Sequence, residues 1–243
     1  MSSSPQPSLF RSIRDWWKQS AAHHGPGATL RMFFSEVFAF LRESTPEQRR
    51  RRYGDIEYDW DNRVDTTSAT VGWRDRLLGV FHSPYQPSEP ALFHEMLASL
   101  HVGFEDFTFI DLGSGKGRTL LMASEYPFRR IVGVELLPEL HRIAQENLRK
   151  FKSEKQRCFH LETRCEDARC FIFPNEPTVL YLFNPLSPTD LRRALANLEN
   201  STKLHPRKVC VLYHNPLHDR VITANGWLKR MRGTHQYAIY EPT

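Results

Sequence analysis

The chain has 243 residues, with 33 lysines and arginines against 28 aspartates and glutamates, a net charge of +5. Hydrophobic residues make up 40% and charged residues 25%, enough for one sizeable core and ordinary for a soluble protein. No apolar run approaches the roughly 18 residues of a membrane span, and the mild basic excess permits nucleic-acid or acidic partners without demanding them.

The four cysteines, Cys158, Cys165, Cys170 and Cys210, form no Cys-x-x-Cys pair. Zinc spacing is therefore missing, no metal site is expected, and the thiols read as reduced and structural. Met1 to Pro7 lacks the apolar core of a signal peptide, so a cytoplasmic location is the expectation.

Residues 1–28, rich in Ser, Pro, Gly and His, read as a flexible tail interrupted by Trp16-Trp17. His23-His24 reads as solvated. Residues 29–87 read as a helical and irregular extension. Dense apolar residues from Thr29 to Leu41 predict a helix, and Thr45-Pro46-Glu47-Gln48 is a capping box with proline at the first helical position. Arg49 to Arg52 follow, read as a solvated surface with a phosphate-facing patch as the alternative. Residues 54–86 read as an irregular connection.

Residues 88–243 read as one α/β domain. A helix starts at Ser88-Glu89-Pro90 and buries Leu92, Phe93, Met96, Leu97 and Leu100. Strands are predicted over 107–111, 130–135, 158–163, 178–184 and 208–214. Helices are predicted over 117–124 and 138–151, and a further one after the cap Ser187-Pro188-Thr189-Asp190. Residues 226–232 and 236–240 read as a final antiparallel pair. Alternating strands and helices imply a doubly wound, mostly parallel sheet.

In such sheets ligands bind beyond the carboxyl ends of the strands. The first strand runs into Asp111-Leu112-Gly113-Ser114-Gly115-Lys116-Gly117. Its Gly-x-Gly-x-Gly spacing is neither the dinucleotide fingerprint nor a phosphate-binding loop. An acidic residue two positions before the first glycine would repel a pyrophosphate, and it suits a ligand carrying an ammonium and a sulfonium. Glu135 ends the next strand, where a carboxylate can accept from both ribose hydroxyls. Glu166-Asp167-Ala168 follows the third strand, within reach of an adenine amino group. Asn184-Pro185-Leu186 ends the fourth strand, where a reacting group would sit.

Over residues 85–240 the sequence resembles a class I, seven-strand S-adenosylmethionine-dependent methyltransferase. Phe109 to Gly117 matches the first motif of that family and Val132-Gly133-Val134-Glu135 the second. The resemblance implies a Rossmann-like seven-stranded sheet, and S-adenosylmethionine as cofactor. It implies a cofactor loop of Asp111, Gly113, Ser114, Gly115 and Gly117, with Asp111 and Gly113 on the methionine moiety. Glu135 would hold the ribose, Leu136 would pack on the adenine face, and Asp167 beside Ala168 would hold the adenine. Ser83-Pro84-Tyr85-Gln86-Pro87-Ser88 is similar to lysine methyltransferases that act on an ATP-synthase subunit, and seven-strand histone-lysine enzymes share the Asp-Leu-Gly-Ser-Gly loop. Asn184-Pro185-Leu186 is similar to the Asn-Pro-Pro-Tyr motif of enzymes that methylate adenine or glutamine nitrogens, but lacks its second proline and its aromatic.

The implied chemistry is methyl transfer to an acceptor, with a protein lysine amine favoured. Asn184, Tyr85 and His214 are the candidates for holding the nucleophile or taking its proton. A nucleic-acid or small-molecule acceptor is the alternative, as is a non-catalytic cofactor-binding module of the same fold.

Overall fold

The computed structural model describes residues 14, 17–18, 21–22, 25–31, 56–67, 87–184, 186–224 and 226–243. Tyr85, His23, His24, the capping box, Arg49 to Arg52 and residues 32–41 of the helix read from Thr29 to Leu41 lie outside the described residues, while residues 29–31 are helical. Within the segment read as a tail, residues 14, 17, 18, 21, 22 and 26–28 are helical.

The first named element is helix α1, Ile56–Asn62. The sequence reading took this stretch as irregular, because it carries no apolar period. Asp59 accepts the Thr66 and Thr67 N–H groups at 2.7 and 2.9 Å and folds the following turn back onto the helix, and the same carboxylate meets Arg118, far along the chain, at 3.2 Å.

Helix α2 is Pro90–Ala98, opened by its proline and burying Leu92, Phe93, Met96 and Leu97. There follow strand β1 (Thr108–Leu112), helix α3 (Arg118–Ala123), strand β2 (Arg130–Glu135) and helix α4 (Pro138–Lys150). Strand β3 is Leu161–Cys165, then β4 is Thr178–Leu182, helix α5 is Pro188–Leu204 and β5 is Val209–His214. The chain closes with the short helix α6 (Asp219–Thr223), which the sequence reading missed, and strands β6 (Leu228–Gly233) and β7 (Tyr237–Pro242).

Strand β3 begins three residues later than its sequence pattern suggests. The apolar pair that set the pattern lies ahead of it. Cys158 is buried with its N–H on the Ser124 carbonyl at 2.9 Å, and Phe159 is exposed.

The seven strands form one sheet of order β3-β2-β1-β4-β5-β7-β6. The first five are parallel, and β7 runs antiparallel between β5 and β6. Strands β1 and β4 sit at the centre and are buried along their whole length, as expected for a sheet covered on both faces. Successive residues of each strand face opposite layers. Phe109, Val179, Tyr181 and Leu212 pack with Phe93, Met96, Leu97 and Leu120 of α2 and α3. Ile110, Leu112, Leu180, Leu182, Val211 and Tyr213 pack with Leu191, Ala194, Leu195 and Leu198 of α5 and Ile222 of α6. Each fully buried Leu, Ile or Phe contributes about 1.5–3 kcal/mol. The two layers hold the carboxyl ends of β1, β2, β4 and β5 along one edge of the sheet.

Candidate active site

Two structural demands shape the loop after β1. Gly113, Gly115 and Gly117 all have positive φ, at 84°, 54° and 83°. At Gly117 a side chain would also meet the Ala144 Cβ of α4 at 3.3 Å, so conformation and packing both call for glycine. The loop's N–H groups at Gly113 and Ser114 donate to the Val134 carbonyl at 2.8 and 3.0 Å. This draws the loop over β2 at Gly133, where a Cβ would stand 2.7 Å from the Ser114 Oγ and 2.6 Å from Leu120.

Asp111 and Glu135 border this loop, at or beside the ends of their strands. Asp111 is 3% exposed and accepts a short hydrogen bond from the Thr119 hydroxyl. Burial pushes its carboxyl up to about 7, the Thr119 bond opposes this, and the charge of Glu135 adds to it. Among the described residues no ion pair meets Asp111. A buried carboxylate held this way is ready for a cation. Glu135 is also buried, and its two oxygens accept the Gly115 and Leu137 N–H groups, each at 2.8 Å. The Ser114 hydroxyl is buried and makes no hydrogen bond among the described residues. A ligand with an ammonium and hydroxyls fits this set: one buried carboxylate that meets no cation among the described residues, a second buried carboxylate at the end of the neighbouring strand, and one unsatisfied hydroxyl.

Leu136 is half-buried directly after Glu135, and Ala168 is buried. Asp167 caps the one-turn helix Ala168–Cys170 by accepting the Arg169 N–H at 2.9 Å, and its carboxylate also takes the Arg169 guanidinium. Arg169 reaches Asp190 at 3.6 Å as well.

The sequence carries Asn-Pro-Leu twice, from Asn184 and from Asn215, and at the ends of β4 and β5 these two asparagines stand side by side. Both asparagines have positive φ, 47° and 50°, a conformation asparagine tolerates better than most residues. The Asn184 amide donates to the Asn215 carbonyl at 2.8 Å, and its Oδ1 accepts the Tyr213 hydroxyl at 2.7 Å. The repeat of Asn-Pro-Leu is legible in the sequence, yet Asn215 was missed because only the first copy resembles a known motif.

His214 ends β5. Its ring stacks on Phe183 at 3.9 Å between centroids, and its Nδ1 lies 2.8 Å from the Tyr181 hydroxyl. Tyr181 in turn lies 2.7 Å from the Ser88 hydroxyl. Burial pulls the imidazole down to about 4, so it is neutral at physiological pH. Tyr181 pairs in register with Asp111 across β1 and β4. The sequence reading missed Tyr181, which resembles any other core aromatic of a buried strand.

A family model for "Histone methylation protein DOT1" matches residues 83–168. That stretch runs from the segment before α2, through the glycine loop and Glu135, to Asp167 and Ala168. No curated protein matches the chain. Among solved structures, the chain is similar to an RNA methyltransferase from Salinibacter ruber in complex with S-adenosyl-L-homocysteine, at 22% identity and TM-score 0.44, covering 65% of this chain and 93% of that one. It is similar to the geranyl diphosphate C-methyltransferase of Streptomyces coelicolor at 16% identity and TM-score 0.44, covering 58% and 61%. It is also similar to a predicted N6-adenine-specific DNA methylase from Listeria monocytogenes at 15% identity and TM-score 0.47, covering 65% and 51%.

The sheet order, the glycine loop after β1, the acidic end of β2 and the family match together define a class I S-adenosylmethionine-dependent methyltransferase. S-adenosylmethionine is its cofactor. No helix among the described residues is long and apolar enough to cross a membrane.

Proposed function

We propose that this chain methylates the side-chain amine of a protein lysine. The observation that carries the reading is the match of residues 83–168 to a histone methylation family. The match spans both the glycine loop and the segment ahead of α2. In this reading Asp111 faces the ammonium of the cofactor and the loop from Gly113 to Gly117 follows its methionine backbone. Glu135 accepts the ribose hydroxyls, Leu136 and Ala168 flank the adenine, and Asp167, steadied by Arg169, accepts from the adenine amino group.

When bound, S-adenosylmethionine supplies a methyl group already activated on a sulfonium. The protein's work is then positioning and exclusion of water. The acceptor lies at the ends of β4 and β5. Asn184 offers it a backbone carbonyl and the second lone pair of Oδ1, since Tyr213 takes only the first. His214, neutral and fixed by Tyr181, offers an acceptor for an amine hydrogen. Tyr85, which precedes α2 in the sequence and lies outside the described residues, is the third candidate for holding the acceptor. The lysine must arrive as the free amine, its proton having left to water.

Incubation with methyl-labelled S-adenosylmethionine and fractionated cell extract tests the reading. Label in protein is the expected outcome. Label in nucleic acid, together with binding that falls steeply with salt, would replace the lysine acceptor with a base.

A further inference from the structure

We propose that the N-terminal segment 58–67 is part of the cofactor site: it positions the glycine loop through Lys116 and Arg118, so that its docking and cofactor binding strengthen each other. The proposal rests on the reading of that loop as the S-adenosylmethionine site.

Lys116 sits between Gly115 and Gly117, and its side chain is fully buried. Its Nζ donates to the Asp65 carboxylate at 2.8 Å and to the Thr67 carbonyl at 2.7 Å. Arg118, the first residue of α3, is 2% exposed. Its Nε donates to the Thr66 hydroxyl at 2.6 Å, one terminal nitrogen reaches Asp59 at 3.2 Å, and the guanidinium lies over the Tyr58 ring at 4.9 Å. Asn147 of α4 completes the clasp. It accepts the Asp65 N–H at 2.9 Å, and donates to the Asp65 carbonyl at 2.7 Å and to the Lys116 carbonyl at 2.9 Å.

Two buried cations next to a ligand-binding loop demand an account. Burial penalises the charged form of Lys116, and Asp65 offsets this. Both cations extend from the loop or its exit to segment 58–67. The loop is therefore pinned twice: Glu135 holds the Gly115 N–H, and segment 58–67 holds the side chains on either side of Gly117. A loop ordered in advance binds without the cost of ordering it. Such coupling is reciprocal by thermodynamic necessity: if the docked segment strengthens the cofactor, the cofactor strengthens docking by the same factor.

Hydrogen exchange on the full chain, with and without S-adenosylhomocysteine, tests this. The expected result is slower exchange at the Thr66 and Thr67 amides as well as across 113–118, with the β7 amides unchanged. Protection confined to 113–118 would overturn the proposal. Absence of protection at 113–118 too would overturn the cofactor reading, and the proposal with it. A second measurement is calorimetry of S-adenosylhomocysteine with Asp65→Asn and Asp59→Asn. Affinity is expected to weaken on the order of 10-fold with cooperative melting retained. Unchanged affinity in both folded variants would likewise overturn it.

Discussion

Glu135 and Gly115 are joined by a 2.8 Å hydrogen bond from the loop N–H to one carboxylate oxygen, while the other oxygen takes the Leu137 N–H. One side chain therefore shapes the glycine loop and fixes the turn after β2.

If Glu135 holds the ribose as proposed, Glu135→Ala removes a contact worth roughly 1.5–3 kcal/mol, and S-adenosylmethionine affinity should weaken about 10- to 100-fold. Calorimetry on the folded variant checks this, and unchanged affinity would remove Glu135 from the site.

Asp111 gives a pH dependence. Burial holds its carboxyl near 7 in the free protein, and a cationic ligand binds the ionised form. Above about 7 the group is already ionised and affinity is at its plateau. Below that a proton must leave first, so affinity falls by up to about tenfold per pH unit. Titrations near pH 6 and pH 8 should show this difference in the wild type. Asp111→Asn should bind weakly and flatly across the same range.

Much of this was legible in the sequence because the relevant residues are tied to strand ends. Phe109 to Gly117 and Val132 to Glu135 announce a strand, a turn and a carboxylate in a few residues each. Strand β2 was placed at its observed limits, and the α4 stripe of Leu140, Ile143 and Ala144 is buried as its period implied. Other features depend on long-range partners. Helix α1 has no apolar period, and its role emerges only when Asp59 and Asp65 meet Lys116 and Arg118, some fifty residues on. Tyr181 is one more aromatic in a buried strand until Ser88 and His214 are found at its hydroxyl.

Gly133 tests how closely the loop is fitted to β2. An added methyl would come within 2.7 Å of both Leu120 and the Ser114 hydroxyl. Gly133→Ala should cost about 1–3 kcal/mol through overpacking. It should lower the melting temperature and weaken cofactor binding, because the loop itself must shift. A melting temperature and affinity equal to the wild type would mean that the loop yields freely.

Tyr181→Phe keeps the ring and deletes the hydroxyl shared by Ser88 and His214. If His214 serves the acceptor, labelled-methyl transfer should fall roughly 10-fold or more while cofactor affinity stays near wild type. Equal loss in both would make the three residues part of the cofactor pocket instead.

The most direct measurement is of the methylated product. Purified protein, methyl-labelled S-adenosylmethionine and fractionated cell extract are combined, and the labelled products are hydrolysed to amino acids and to nucleosides. The account predicts label in methylated lysine, lost in Asp111→Asn and Glu135→Ala. Label in a methylated base, with none in lysine, would contradict it.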